Sequence, residues 1–432
     1  MGDFETKSRV PDLTAAVSIL SRVTMTRRKE LFMRRREFLA ALGAGAALGA
    51  TDLIAAIERT VLWRGRETGK TWFHPRACRI PGPPAPLLLM TLQEITGSDV
   101  YHHVHWSESR DLGVTWSEPR PIPGMGRKRT PDGLEEGICD VVPEYHARTR
   151  TVLAIGQNVY YGRDGRLTRP NEQRWPMYVV RSAGGEWGPV KKLVWSHPEA
   201  TALYSTNCSQ RVTLPDGDIL VPLSFGPLGR TDRAVCSALC AFDGSDLRVK
   251  KTGNILRNPV KRGLLEPSLA LHRGSYYMTI RAEDEHGYVT RSSDGLHWED
   301  KKPWCWDDGE PVTMSTTQQR WLTHSDALFL TYTRKDPSNL KIMRWRVPIY
   351  VAQVDVRRLR LIRSTEKIVF PIEGDAVNRP ETVAYLGNFH TTAVSRMESL
   401  VTSGETMPKT FRGNTLQARI RWSRPNRDVP LD

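Results

Sequence analysis

Short apolar segments alternate with turn sequences along most of the chain. The clearest segments, rich in β-branched and aromatic residues, are Val152–Ile155, Met177–Val180, Ile219–Leu223, Tyr276–Ile280, Ala327–Tyr332 and Ile349–Val354. Aspartate-glycine turns stand between them, at Asp164-Gly165, Asp216-Gly217, Asp294-Gly295 and Asp308-Gly309. Such turns join antiparallel strands. Since no long helical period follows residue 56, the pattern predicts an all-β domain of many short strands.

One turn sequence recurs. Ser109–Trp116 has the pattern S-x-D-x-G-x-T-W, and Ser292–Trp298 has the same pattern with one residue fewer. Decayed copies occur at Arg66–Trp72 and Ser182–Trp187. In such a hairpin the aspartate accepts backbone N–H groups, the glycine takes a positive φ, and the tryptophan folds back onto the sheet. We therefore expect Asp111 and Asp294 to be structural and not catalytic.

The N-terminal segment has the composition of an export signal. Residues 33–50 join three consecutive arginines to a short alanine- and glycine-rich run, too short to span a bilayer. The order Arg-Arg-Glu-Phe-Leu resembles a twin-arginine signal. We expect residues 1–56 to be an extension with a signal peptide, and the protein to be exported to the periplasm or the medium. A helix packed on the body is the alternative.

Composition narrows the class of protein. The 432 residues are 39% hydrophobic and 25% charged, which excludes a disordered chain, a collagen and a polytopic membrane protein. No apolar run of 18 residues follows the signal, so we expect no stable membrane span. The six cysteines show no zinc-ligand spacing. We expect them to be mostly buried, with room for one disulfide.

The chain is basic, with a net charge of +14, of which +3 falls in the first 55 residues. A basic body favours an anionic glycan, nucleic acid or a lipid surface, although a generally basic surface explains the charge equally well. The arginines and lysines are scattered and the chain carries an export signal. These two features disfavour nucleic acid.

The repeated turn is the Asp-box, and the mature region as a whole resembles the bacterial sialidase superfamily. The resemblance implies a six-bladed β-propeller of four-stranded antiparallel blades over residues 57–432. About 370 residues give roughly 60 for each blade, which suits a four-stranded sheet. Five or seven blades would also fit this length.

The resemblance also implies a set of arginines that grip a sugar carboxylate. Cys78–Pro81 resembles the R-I-P motif that opens sialidase domains, which assigns the first arginine to Arg79. The stretch from Leu264 to Arg281 resembles the segment that carries the second, which assigns it to Arg281. For the third we expect Arg344, then Arg334. A guanidinium suits this task because it meets a carboxylate with two parallel hydrogen bonds. A structural ion pair is the alternative for Arg79.

Two carboxylates are implied as catalytic groups. Asp99 lies about ten residues before the first Asp-box, where sialidases place a general acid, and Glu94 is its nearby substitute. Ser98-Asp99 could equally be a plain turn. Glu266 matches the base that activates a tyrosine nucleophile, although a structural pair with Arg281 is the alternative.

The end of the chain departs from the family pattern. Where a sialidase has its tyrosine nucleophile, residues 383–392 carry Tyr385 in a different context, and His390 stands near the expected place. His390 could act as an acid or base, or be a structural histidine. Four further polar stretches could line a pocket: Thr71–Arg76, Asp140–His146, Arg281–Gly287 and Met314–Trp321.

These features favour an exported exo-glycoside hydrolase that acts on the terminal acidic sugar of a glycan. No cofactor and no catalytic metal are expected, although acidic loops could hold a structural Ca²⁺. A polysaccharide lyase, or another carbohydrate enzyme on the same propeller, is the first alternative. A non-catalytic glycan-binding propeller is the second, because a fold does not fix a function.

Overall fold

The computed structural model describes residues 52–168, 174–200, 203–205, 209–227, 230, 232–314 and 317–431. The predicted signal and residues 1–51 therefore lie outside the described ranges. Strand β1 (Ile54–Trp63) begins three residues before the predicted domain boundary. Helix is limited to α1 (Gly65–Thr68) and four 3₁₀ turns within these ranges. The 3₁₀ turns are Pro337–Asn339, Met343–Trp345, Arg363–Thr365 and Pro380–Thr382.

The remaining elements form six antiparallel sheets, which confirms the predicted six-bladed propeller. Blade 1 contains β2 (Trp72–Ile80), β3 (Leu87–Gly97), β4 (Val100–Ser109) and β5 (Arg120–Pro121). Blade 2 contains β6 (Lys128–Arg129), β7 (Glu135–His146), β8 (Thr151–Tyr161), β9 (Leu167–Thr168), β10 (Pro176–Arg181) and β11 (Lys191–Lys192). Blade 3 contains β12 (Leu203–Ser205), β13 (Val212–Thr213), β14 (Ile219–Gly226), β15 (Ala234–Phe242) and β16 (Leu247–Thr252).

The second half of the ring repeats this plan. Blade 4 contains β17 (Leu265–His272), β18 (Ser275–Arg281), β19 (Gly287–Ser292) and β20 (Lys302–Pro303). Blade 5 contains β21 (Arg320–His324), β22 (Ala327–Tyr332), β23 (Ile349–Asp355), β24 (Arg360–Leu361) and β25 (Lys367–Phe370). Blade 6 contains β26 (Tyr385–Ser395), β27 (Glu398–Thr406) and β28 (Thr415–Trp422). The apolar segments that predicted strands all lie within these elements.

Blade 6 closes the ring with strands from both ends of the described body. Strand β1 pairs antiparallel with β28, so the first strand completes the sheet that the last three begin. Glu58 on β1 accepts a hydrogen bond of 2.6 Å from Arg421 on β28. Closure of this kind leaves only short, protected sheet edges around a propeller.

The hydrophobic core lies between the blades. Alternate residues of each strand face one neighbouring blade, and the buried apolar side chains form a separate cluster at each interface. The cluster between blades 5 and 6 contains Phe329, Phe389 and Trp422. The smallest, between blades 6 and 1, consists of Leu88, Val394 and Leu400 with Trp116 against them.

Two hairpin turns show how the repeated aspartates act. Asp294 accepts hydrogen bonds of 2.8 Å from the backbone N–H groups of Leu296 and His297. Asp111 accepts corresponding bonds from Val114 and Thr115. The indole of Trp298 donates to Ser237 of blade 3, and that of Trp116 donates to Gln417 of blade 6. Each turn thereby ties its blade to the preceding one. Arg66–Trp72 differs, because it forms α1 and leads into β2.

Three remaining features of the body concern its thiols, membranes and metals. The five cysteines in the described ranges are free, while Cys208 lies outside them. Within the same ranges, no helix has the length and apolar composition needed to cross a bilayer. Nor do three or more His, Cys, Asp or Glu side chains of the described body converge as a metal site.

Replacing Asp294 should destabilise the body. Asp294→Ala leaves the Leu296 and His297 amides without their acceptor, at an expected loss of about 1–2 kcal/mol in the free energy of unfolding. Asp300→Ala is the matched control, because Asp300 is exposed and should change the value by less than about 0.5 kcal/mol. Urea unfolding of both variants checks this. Equal losses would contradict a structural role for Asp294.

Candidate active site

Four of the inner strands share one irregularity. Strands β2, β7, β17 and β26 each carry a β-bulge toward their N-terminal ends, between Phe73 and Arg76, Cys139 and Val142, Leu265 and Ser268, and Gly387 and His390. Each bulge contains a non-glycine residue with positive φ: His74 at 55°, Asp140 at 61°, Glu266 at 46° and Asn388 at 50°. Left-handed backbone at such residues costs of order 1–3 kcal/mol and is concentrated at functional sites. A bulge also re-aims a side chain beside a site.

The bulges surround a polar cavity at one mouth of the propeller. Asp140, Glu266 and Asn388 line it, together with Asp99 from the turn between β3 and β4 and Tyr101 from the start of β4. Gln157 and six arginines also line it; the arginines are Arg174, Arg233, Arg262, Arg281, Arg344 and Arg346. The cavity therefore combines three carboxylates with an excess of guanidinium groups.

Glu266 and Arg281 form a close ion pair in this cavity. Glu266 Oε1 lies 2.5 Å from Arg281 Nη1, because the bulge sets Glu266 beside the last residue of the neighbouring strand β18. The second carboxylate oxygen, Oε2, is buried and has no hydrogen-bond partner among the described residues. One oxygen thus fixes the side chain, and the other is available to a ligand.

Asp99 is held by two tyrosines. The φ of Asp99 is 59°, so the backbone of this turn is left-handed at the residue that carries the carboxylate. The Tyr101 hydroxyl donates to Asp99 Oδ1 at 2.9 Å, and the Tyr161 hydroxyl donates to the Asp99 carbonyl at 3.1 Å. Burial, together with the charge of Asp99, raises the pKa of Tyr101 well above its usual value. Tyr101 therefore stays protonated and serves as a donor that orients Asp99.

A buried network lies beneath the cavity. Arg76 is fully buried, and its Nη2 lies 3.0 Å from Asp140 Oδ1. Gln157 donates to the other oxygen of Asp140 at 3.0 Å, while His74 Nδ1 lies 3.5 Å from Oδ1. Burial opposes ionisation of Asp140, but His74, Arg76 and Gln157 together lower the pKa of its carboxyl to about 2. Asp140 therefore acts as the counter-charge that keeps Arg76 in the interior.

Arg344 and Arg346 also line the cavity. The 3₁₀ turn before β23 places them there, with φ at 54° for Arg344. In the part of the chain that the structure describes, neither guanidinium has a carboxylate within ion-pair distance. Burial, reinforced by the charges of Arg344 and Arg281, lowers the pKa of Arg346 to about 10. Gly387 lies beside the Arg346 guanidinium, and its φ of 152° is a backbone conformation that favours glycine.

The structure brings together four of the residues that the sequence singled out. Asp99, Glu266, Arg281 and Arg344 all line this one cavity, although their chemical roles stay predictions. Arg346, the second arginine of the segment offered for the third position, joins them. Tyr101, Asp140 and Arg262 were not singled out individually. The sequence offers Asp140 and Arg76 only as members of two polar stretches, because it does not show where a β-bulge will turn a side chain toward the cavity.

The structure does not bring four other predicted residues to this cavity. Arg79 and His390 line a different cavity at the opposite mouth, so Arg79 and Arg281 are not placed to share one carboxylate. Tyr385 packs against the apolar cluster between blades 5 and 6. Arg334 is engaged by Glu366 at 2.7 Å and by Asp336 at 2.8 Å at the side of blade 5.

His390 lies deep in the channel and is only 4% exposed. Burial and the charges of nearby arginines, including Arg320 and Arg76, lower the pKa of His390 well below its usual value. The histidine is therefore neutral in the folded protein. On the same strand, the bulge brings Asn388 into the cavity, whereas Tyr385 does not line it.

Comparisons with known proteins identify the fold. No family model and no curated protein matches the chain. A protein of unknown function from Dyadobacter fermentans matches with a TM-score of 0.58 and 12% identity, over 85% of this chain and all of its own. Trypanosoma rangeli sialidase matches with a TM-score of 0.58 and 13% identity, over 85% of this chain and 60% of the sialidase. A Hadza microbial sialidase matches with a TM-score of 0.57 and 12% identity, over 83% and 68%.

These matches place the described body in a sialidase-like six-bladed propeller fold. The chain spans only about 60% of the length of the Trypanosoma rangeli protein, whose structure has also been solved with sialic acid. At 12–13% identity the likeness concerns the fold.

The buried network should make stability depend on pH. Burial lowers the pKa of His74 to about 3, against about 6.5 in the unfolded chain. Below pH 6.5 the His74 imidazole is protonated in the unfolded chain but stays neutral in the folded protein. The free energy of unfolding therefore falls as the pH falls toward 3. Replacing His74 with Phe keeps the ring contacts with Phe73 and Tyr101 and removes this titration.

Between pH 6 and 4.5, the free energy of unfolding of His74→Phe should therefore fall less steeply with decreasing pH than that of the wild type. The difference between the two slopes should reach up to about 1.4 kcal/mol per pH unit. Urea unfolding at several pH values measures the two slopes. Met397→Leu, at an exposed position that carries no titratable group, is the control and should follow the wild-type slope. Parallel slopes for His74→Phe and wild type would show that His74 is not neutral and buried.

Proposed function

We propose that this protein is an exo-acting glycoside hydrolase that removes a terminal acidic sugar from a glycan. The observation that carries the proposal is the convergence of Asp99, Glu266 and several arginines in one cavity of a sialidase-like propeller. Glycosidases use two carboxyl groups that flank the scissile bond. The arginines add a site for an anionic group on the sugar.

The sugar carboxylate binds to Arg281, Arg344 and Arg346. Arg344 and Arg346 bring positive charge that no carboxylate of the described residues neutralises at close range, and both lie near Arg281. A guanidinium can meet a carboxylate with two parallel hydrogen bonds, which fixes orientation as well as charge. Gripping the carboxylate orients the rest of the ring toward Asp99 and Glu266.

Asp99 acts as the general acid and protonates the departing glycosidic oxygen. Its turn position leaves one carboxylate oxygen for the substrate, while Tyr101 binds the other. Glu266 acts on the anomeric carbon from the other side, through the oxygen that Arg281 does not bind. It serves either as the nucleophile or as the base that activates one, and both roles use an ionised carboxylate.

The tyrosine nucleophile expected from the family resemblance has no support at Tyr385, because that side chain packs between blades. Tyr101 reaches the cavity, but its raised pKa and its bond to Asp99 suit a donor better than a nucleophile. The proposal therefore assigns the attack to Glu266 or to a water molecule that Glu266 activates.

Removing either carboxylate should abolish hydrolysis. Asp99→Asn and Glu266→Gln should each lower kcat by about 10²–10⁴-fold, with the melting temperature little changed. Asp300→Asn is the control, because this exposed aspartate lies outside the cavity. The assay follows release from aryl glycosides of sialic and uronic acids. Retained activity in both variants would refute this site.

Product analysis separates this proposal from its alternatives. A free reducing sugar indicates hydrolysis, whereas an unsaturated product that absorbs in the ultraviolet indicates a lyase. Binding with no product indicates a glycan-binding propeller. Either of the last two results would contradict the proposed hydrolysis.

The arginine wall should control recognition of acidic substrates. Arg344→Gln should lower kcat/KM for an acidic aryl glycoside by about 10–100-fold, mainly through KM, since one charged hydrogen-bonding group is lost. Arg79→Gln is the matched control and should change kcat/KM by less than about twofold, because Arg79 lies at the opposite mouth. The reverse order of effects would move the site to the other cavity.

A further inference from the structure

The proposed general acid stands at the tip of an exposed hairpin. Asp99 belongs to the two-residue turn, Ser98-Asp99, that joins β3 to β4 in blade 1. Both residues of this turn are exposed. Such tips are ordinarily among the more mobile parts of a fold. A general acid, however, must lie within hydrogen-bond distance of the oxygen that it protonates. The turn therefore needs support from outside the hairpin.

A buried tyrosine of the next blade supplies this support. Tyr161 is the last residue of β8 in blade 2, and its side chain is fully buried. Its hydroxyl donates to the Asp99 carbonyl at 3.1 Å and accepts from the Tyr101 backbone N–H at 2.9 Å. One hydroxyl group thus binds the backbone on both sides of Val100. These two bonds fix the chain that carries the carboxylate, whereas the Tyr101 side chain binds only a carboxylate oxygen.

Arg127, which directly precedes β6 in blade 2, strengthens the same contact. Its guanidinium carbon lies 3.7 Å from the centroid of the Tyr161 ring, a favourable position for a cation over an aromatic face. Its Nε donates to the Tyr101 carbonyl at 2.8 Å. Its Nη1 lies 3.4 Å from a carboxylate oxygen of Glu135 on β7, which ties the guanidinium to blade 2. Arg127 and Tyr161 thus hold the start of β4 together.

The role of the Tyr161 hydroxyl can be separated from that of its ring. Burial raises the pKa of Tyr161 above its usual value, so the hydroxyl keeps the proton that it donates to Asp99. A phenylalanine at this position would keep the ring and its contact with Arg127. It would leave the Asp99 carbonyl and the Tyr101 N–H without this shared partner. Replacing the tyrosine with phenylalanine therefore loosens the turn and preserves the packing of the blade.

We infer that Tyr161 is a positioning residue for the general acid: its hydroxyl holds the turn so that the Asp99 carboxyl group reaches the departing glycosidic oxygen. The inference rests on the proposed function of Asp99 and adds the residue of blade 2 on which that function depends. Tyr161 does not line the cavity, so it acts through Asp99 and not on the substrate. Arg127 supports Tyr161 in this role.

Glycosides with different leaving groups test the inference on the full chain. A 4-nitrophenolate departs with little help from an acid, whereas a phenolate needs the proton. The substrates are the phenyl and 4-nitrophenyl glycosides of N-acetylneuraminic acid and of glucuronic acid, and kcat/KM reports the departure step. Tyr161→Phe should lower kcat/KM about tenfold for a phenyl glycoside and less than about twofold for its 4-nitrophenyl counterpart, because a misplaced acid slows only the reaction that needs it.

Tyr178→Phe is the matched control. Tyr178 is a buried tyrosine outside the cavity, and its hydroxyl accepts from the backbone N–H of Leu247 in the next blade at 3.2 Å. Its loss should change kcat/KM for both leaving groups by less than about twofold. Asp99→Asn should show the same selectivity for the phenyl glycoside as Tyr161→Phe, with larger losses. Thermal melting confirms that each variant is folded.

Hydrogen exchange gives a second measurement that needs no substrate. The Tyr101 amide, which donates to the Tyr161 hydroxyl, should exchange at least about tenfold faster in Tyr161→Phe than in the wild type. It should exchange at the wild-type rate in Tyr178→Phe.

Two results would overturn the inference: equal losses of kcat/KM for both leaving groups in Tyr161→Phe, or an unchanged exchange rate of the Tyr101 amide. An active wild type with either result rejects only this inference. A wild type that hydrolyses none of the four glycosides rejects the proposed function, and the exchange rate then decides whether Tyr161 holds the turn. Selective loss on the phenyl glycoside, together with faster exchange, supports both proposals.

Discussion

Left-handed backbone at four β-bulges is the constraint on which the site depends. The side chains of a regular inner strand point alternately toward the two neighbouring blades, and none points toward the axis of the propeller. The bulges at His74, Asp140, Glu266 and Asn388 break this alternation at one level of the ring. Three of these side chains then line the cavity, and His74 lies buried beneath it against Asp140 and Tyr101.

Such conformations persist only in a rigid frame. The interfaces between adjacent blades supply it, because each has its own buried apolar cluster, and β1 closes the last blade. The same frame holds the guanidinium groups of Arg281, Arg344 and Arg346 close together despite their mutual repulsion. The buried carboxylate of Asp140 balances the positive charge of the buried Arg76 guanidinium. The strain and the repulsion are both local, and a ligand of opposite charge would relieve the second.

Much of the fold could be predicted from the sequence because it depends on local patterns. Alternating apolar segments and aspartate-glycine turns are encoded within a few residues, and a turn near Asp294 can be recognised from its own neighbours. Asp99, Glu266, Arg281 and Arg344 were singled out by the resemblance to sialidases, and they line one cavity; their chemical roles stay predictions.

The residues that lie outside the cavity stand mainly on strands where a shift of one residue decides which side chain reaches it. Arg76 and Arg79 are three residues apart on β2, about 10 Å along a strand, and the bulge at His74 sets which of them belongs to the network beneath the cavity. The same applies to Tyr385, Asn388 and His390 on β26, where the bulge sends Asn388 into the cavity. Arg334 was a fair candidate by position, but Glu366 and Asp336 engage it elsewhere. A bulge has no reliable signature in a single sequence.

The most direct measurement is a crystal structure of the Asp99→Asn variant soaked separately with N-acetylneuraminic acid and with glucuronic acid. If the cavity binds acidic sugars as proposed, one of the two will bind with its carboxylate oxygens about 3 Å from the guanidinium nitrogens of Arg281, Arg344 and Arg346. Its anomeric carbon will then lie between residue 99 and Glu266. A sugar bound at the opposite mouth beside Arg79 and His390, or with its carboxylate turned away from the three arginines, would contradict the proposed site.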